Sequence, residues 1–102
     1  MQDCSEEYFW IFKEIKLSKL KLVIYVEEVE IELTKLEYLL MEFFIKNPGR
    51  VFYRGQIIER VWGDNYIGED RVVDSCLKRL KKKEEKLKEH FKSVRGIGYI
   101  FE

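Results

Sequence analysis

Six side chains between residues 71 and 86 share one face of a helix drawn at about 100° per residue. Arg71, Ser75, Lys78, Arg79, Lys82 and Lys86 fall within an arc of about 100°. Val73, Cys76, Leu77, Leu80 and Leu87 fall on the opposite side. Like charges at these spacings repel by a few tenths of a kcal/mol per pair. A purely structural helix would mix signs on such a face, so the pattern suits a polyanion. Arginine and lysine neutralise phosphates, and arginine forks onto a guanine edge. Glu84 intrudes into the apolar arc, so the helix either frays there or places Glu84 at the edge of the core.

Charge is segregated along the chain. The total is zero, from 19 basic and 19 acidic residues. Residues 71–95 hold ten basic and four acidic side chains, +6, so the remainder is −6. A domain with one positive and one negative pole remains compatible with nucleic acid despite its neutral sum. Catalysis has little to work with: one histidine, His90, sits in a charged connector and reads as surface, and no acid pair stands out. Cys4 and Cys76 lack metal-like spacing, so neither a metal nor a disulfide framework is expected, and a cofactor is not implied. Gly96-Ile97-Gly98 lacks the third glycine and the strand–helix context of a nucleotide loop. The apolar runs of about five residues fall far short of a membrane span. The acidic start Met1–Glu7 is unlike a secretory signal, and a reducing cytoplasm is the expected setting.

The elements that must carry this face follow from periodicity. One hundred and two residues with 46% apolar content make one domain with a small core. Residues 14–33 alternate, with Ile15, Leu17, Leu20, Leu22, Ile24, Val26, Val29, Ile31 and Leu33 apolar. Period two predicts three short antiparallel strands. Glu27-Glu28 is a poor turn by composition. Residues 1–11 form an N-terminal segment, a linker or an edge strand, ahead of a domain over 12–102. Thr34 and Glu37 make a capping box, followed by Leu36, Leu39, Leu40, Phe43 and Phe44 at helical spacing until Asn47-Pro48-Gly49. Arg50–Tyr53 reads as a link to a small helix with Ile57, Ile58, Val61 and Trp62 inward. Gly63–Gly68 is a loop. The third helix spans about 69–87. Residues 91–101 form a hairpin with Arg95 at its tip and Gly96 supplying the turn.

The order predicts an α+β fold: an N-terminal antiparallel β-sheet, three helices in a helix-turn-helix arrangement, and a C-terminal β-hairpin wing, together a winged helix. A helix about 10 Å across fits the major groove of DNA. An arginine on a narrow wing fits the more negative minor groove.

Six motifs then resemble one family. Leu33-Thr34-Lys-Leu-Glu37-Tyr38-Leu-Leu40 is similar to its L-T-x-x-E-F-x-L-L, and Asn47-Pro-Gly-Arg-Val51 to H-P-G-R-V. Gln56–Gly63 resembles Q-L-L-E-x-V-W-G, and Glu69–Asp74 resembles x-D-R-T-V-D. Leu77–Lys82 resembles I-R-R-L-R-K, and Val94–Tyr99 resembles V-R-G-x-G-Y. These identify residues 12–102 as resembling the OmpR/PhoB family of response-regulator effector domains. The resemblance implies a four-stranded N-terminal sheet and sequence-specific binding of double-stranded promoter DNA at direct repeats. It implies a domain that is a monomer alone and a head-to-tail dimer on DNA. The third helix would read the major groove, and the wing the minor groove. The expected DNA contacts are Arg71, Ser75, Lys78, Arg79, Lys82 and Arg95. The loop Gly63, Asp64, Asn65, Tyr66, Ile67, Gly68 would be the surface facing RNA polymerase. Full-length relatives carry a phosphorylated receiver domain, which these 102 residues do not include.

The chain departs from the family pattern at named places. Cys76 replaces a frequent histidine and reads as packing. Lys78 and Lys81 replace arginines, which removes bidentate recognition there. Tyr53 stands where Ser or Thr caps the second helix, and Glu84 stands where leucine is usual. Asp74 reads as a structural partner for an arginine, and Trp62 as core. The alternative function is a winged helix that contacts RNA polymerase or another regulator without reading DNA.

Overall fold

The computed structural model describes residues 9–102; Cys4 lies outside them. Four strands, β1 (Phe9–Phe12), β2 (Ile15–Ser18), β3 (Val23–Val26) and β4 (Val29–Glu32), form an antiparallel sheet in sequence order. Phe9–Phe12, at the end of the N-terminal segment, is therefore an edge strand. Register places Trp10 opposite Leu17, Leu17 opposite Ile24, and Ile24 opposite Ile31. One face thus carries these side chains with Phe12, Ile15 and Val26.

The turn that composition disfavours holds nonetheless. Glu27 and Glu28 adopt φ of 50° and 76°, the left-handed pair that a two-residue hairpin of type I′ requires. For side chains other than glycine this costs about 1 kcal/mol or more each. The Glu27 carboxylate pairs with Lys86, and its N–H donates to the Glu14 carbonyl at 3.2 Å, which offsets part of that cost. Leu20 does not continue the alternation: it lies in the β2–β3 turn, 70% exposed.

The capping box forms as read. Glu37 N–H donates to Thr34 Oγ1 at 3.2 Å, and Thr34 N–H donates to Glu37 Oε1 at 2.9 Å. Helix α1 (Lys35–Ile45) follows and covers the sheet with Leu40, Met41, Phe44 and Ile45. Leu36 faces outward. Val51–Tyr53 is more than a link: it is β5, paired with the C-terminal hairpin. Helix α2 (Arg54–Ile57) widens into a π turn over Ile58–Trp62. Its cap comes from Gln56, whose Oε1 accepts the Tyr53 N–H at 2.8 Å.

The long third helix divides. Helix α3 spans Arg71–Lys83, Glu84 is extended at φ −155° and ψ 122°, and α4 (Glu85–His90) begins anew. Glu84 Oε2 accepts the Lys86 N–H at 3.3 Å, so the carboxylate that does not fit an apolar face caps the next helix instead. The described residues therefore hold four helices rather than three. The hairpin β6 (Phe91–Val94) and β7 (Gly98–Phe101) forms, and β5 joins it in the order β5-β7-β6. A Cβ on Gly98 would sit 1.9 Å from the Phe52 carbonyl oxygen, so only glycine lets β5 approach.

The core is aromatic where the two sheets meet. The Phe44 ring lies 5.2 Å from Phe91 and 6.4 Å from Phe101, and Phe12 lies 4.9 Å from Phe101. His90 is buried here, at 7% exposure, in correction of its surface reading. Its Nε2 donates to Glu14 Oε2 at 2.8 Å, between the Phe12 and Phe101 rings. That hydrogen bond holds the Glu14 carboxyl below its usual range.

Candidate nucleic-acid interface

Helix α3 is built from two anchors. Its inner residues Val73, Cys76, Leu77 and Leu80 are buried. At its last turn, Lys83 Nζ donates to Glu37 Oε1 at 2.6 Å and to the Glu32 carbonyl at 2.9 Å. Burial alone pushes the Glu37 carboxyl up, but the Lys83 ammonium and the Thr34 N–H outweigh it and hold it below the usual range. At its first turn, Asp74 Oδ1 accepts from Arg54 Nε at 2.9 Å and from the Tyr99 hydroxyl. Burial likewise pushes Asp74 up, and the Tyr99 and Arg54 hydrogen bonds bring it below its usual range. The expected arginine partner of Asp74 is thus Arg54, on α2. Burial pushes the Cys76 thiol up, so it packs rather than reacts.

Between the anchors lies the outer stripe. Arg71, Ser75, Lys78, Arg79 and Lys82 are all exposed. Among the described residues Lys78, Arg79 and Lys82 take part in no ion pair, whereas Lys83, Lys86 and Lys92 each have a carboxylate. Arg71 Nε lies 3.2 Å from Glu69 Oε1, with both side chains largely in solvent, a contact of little weight. Lys86 does not extend the stripe, because the break at Glu84 turns it toward Glu27. Arg95 is exposed on the β6–β7 turn, closed by Ile97 N–H donating to the Val94 carbonyl at 2.9 Å, with Gly96 at φ 77°.

Stripe and wing flank a cleft of about 460 Å³, where Lys78, Lys81, Lys82 and Lys88 outnumber the carboxylates of Asp74 and Glu85 and Tyr99 forms one wall. Lys81 Nζ sits 5.9 Å from the Tyr99 ring centre. Sequence reasoning left out Lys81 and Lys88, which the wheel put off the stripe, and Arg54 and Tyr99, which only the tertiary fold brings to Asp74.

The loop Gly63–Gly68 follows the π turn and leads toward α3. Gly63 turns it at φ 102°. Tyr66 hydroxyl donates to the Glu69 carbonyl at 3.2 Å, and its ring lies 6.3 Å from half-buried Trp62. Asp64 and Asn65 are exposed, and Ile67 is 95% exposed. A bare isoleucine carries a desolvation benefit only when something covers it.

Comparison with known proteins agrees with this arrangement. Residues 28–101 match the family profile described as transcriptional regulatory protein, C terminal. The chain is 41% identical over 83 residues to the sensory transduction protein RegX3 of Mycolicibacterium smegmatis, covering 78% of this chain and 36% of that protein. It thus spans about a third of that relative's length. The DNA-binding domain of Bacillus subtilis CssR superposes with a TM-score of 0.78 at 32% identity, over 86% of this chain and 99% of that one. The DNA-binding domain of the response regulator AdeR, solved in complex with an intercistronic region, superposes with a TM-score of 0.79 at 30% identity, over 90% and 97% of the two chains.

Proposed function

This chain belongs to the OmpR/PhoB-type family of transcriptional-regulator C-terminal DNA-binding domains, and on that premise we propose that it reads double-stranded promoter DNA as the output domain of a two-component response regulator. The observation that carries this is the basic stripe of α3, where Lys78, Arg79 and Lys82 share one exposed face opposite the buried Val73, Cys76, Leu77 and Leu80 and have no carboxylate partner among the described residues. Helix α3 enters the major groove. Arg79 is the residue to fork onto a base, because guanidinium geometry matches guanine. Arg71, Lys78 and Lys82 neutralise phosphates, and Ser75 offers a small hydroxyl between them. Arg95 extends from the wing to the minor groove. The domain works in the cytoplasm, as a monomer alone and as a head-to-tail pair on direct repeats. Its exposed Gly63–Gly68 loop, with Ile67 outermost, meets RNA polymerase.

The test is selection of randomised duplex DNA by the purified domain at near-physiological salt. The expected result is a direct repeat spaced by about one helical turn, roughly 10 base pairs. Binding without an enriched motif that vanishes as salt rises is phosphate contact alone, and it would favour a protein-docking winged helix instead.

A further inference from the structure

On the reading that this face binds DNA, we propose that Asp74 is a positioning residue that fixes the wing against α3, and so sets the distance between the reading helix and Arg95. One carboxylate oxygen serves three elements. Arg54 Nε, at the start of α2, donates to Asp74 Oδ1 at 2.9 Å, and the Tyr99 hydroxyl on β7 donates to the same atom. Among the described residues this is the side-chain hydrogen bond that ties β7 to α3. Hydrogen bonds to an ionised acceptor are about twice as strong as neutral ones.

Charge alone argues against an acid here. Asp74 lines the same cleft as Lys78, Lys81, Lys82 and Lys88, and a carboxylate there opposes an approaching polyanion. Its contribution is therefore geometric. The wing is a small ribbon carried by short strands, β6 and β7 of four residues each and β5 of three. So small a sheet has little stiffness of its own. Its base is seated in the core by Phe91 and Phe101, whereas Tyr99, opposite Ser93, lies one pair short of the turn. The Tyr99–Asp74–Arg54 junction holds that outer half to the two helices beside it, and releasing it would move Arg95 out of register with α3.

The two explanations predict opposite signs. With the duplex recovered by selection, Asp74→Ala loses about tenfold in affinity, the size of one charge-assisted hydrogen bond, if the junction positions the wing. Its affinity for random duplex stays level or rises, since a negative charge has gone. Asp74→Asn keeps an acceptor and restores most of the selectivity. Tyr99→Phe repeats the selective loss without changing any charge, and in that background Arg95→Ala costs less than it does in the parent. Asp74→Ala binding the selected duplex as tightly and as selectively as the parent overturns the proposal while leaving the DNA reading standing. A parent that enriches no motif overturns both.

Discussion

The two ends of α3 are held by the same chemistry at different depths. At the C-terminal end, Lys83 reaches Glu37, which is 1% exposed and already committed to the α1 cap. At the N-terminal end, Asp74 meets Arg54 and Tyr99 near the surface, with both ionic side chains more than a third in solvent. The first junction ties α3 to the N-terminal sheet and α1, and so belongs to the fold. The second ties it to α2 and the wing, and so belongs to the face. The basic stripe lies between them, and among the described residues Lys78, Arg79 and Lys82 have no such partner. The contrast teaches that α3 is held at both ends by paired charges while the stripe between them stays open.

Breaking the deep junction has the larger effect on stability. Glu37→Ala removes one partner of a buried pair and half of a capping box. It should cost about 2–4 kcal/mol in urea unfolding, since Lys83 can partly return to water. The same junction sets a pH dependence. The folded Glu37 carboxyl lies below its ordinary value of 4.5. Its stabilisation is therefore complete above that value and is lost as pH falls through the folded pKa. Urea midpoints should fall below about pH 4.5, and Glu37→Gln should flatten that fall. Glu14, lowered by His90, contributes with the same sign.

The shallow junction should cost less in unfolding: Asp74→Ala loses about 1–2 kcal/mol, because its ion pair with Arg54 is part-solvated while the buried Tyr99 hydroxyl loses its acceptor. If it destabilises as much as Glu37→Ala, the contrast between the two ends is wrong. Smallest of all, Lys82→Ala on the open stripe should leave stability within about 0.5 kcal/mol. It should weaken binding to all duplexes alike and reduce the salt slope by about one.

Features set by neighbours in sequence were legible. Thr34 and Glu37 announce the cap of α1, and the inner residues of α3, Val73 to Leu80, are buried as the wheel places them. The wing's turn follows from Gly96. What failed was set by distant partners. Val51–Tyr53 is too short to show a period, and it is a strand only because β7 lies beside it. His90 looked solvated because Glu14, 76 residues away, is invisible to local pattern. Glu84 is misplaced in an apolar arc, but local pattern does not choose between fraying and a seat at the edge of the core, and neither foresees the break, which depends on Glu84 capping the next helix. The stripe was legible residue by residue over Arg71–Lys82, and the cleft and the Asp74 junction beside it were not.

The claim that α3 presents a DNA-reading face is tested most directly by titrating the selected duplex with the parent and with Arg79→Ala, across a range of salt. If Arg79 reads a base, the variant loses about 1–3 kcal/mol, roughly 5- to 150-fold, and binds selected and random duplexes more nearly alike. A variant that binds and discriminates as well as the parent would contradict the assignment of α3 as the reading helix.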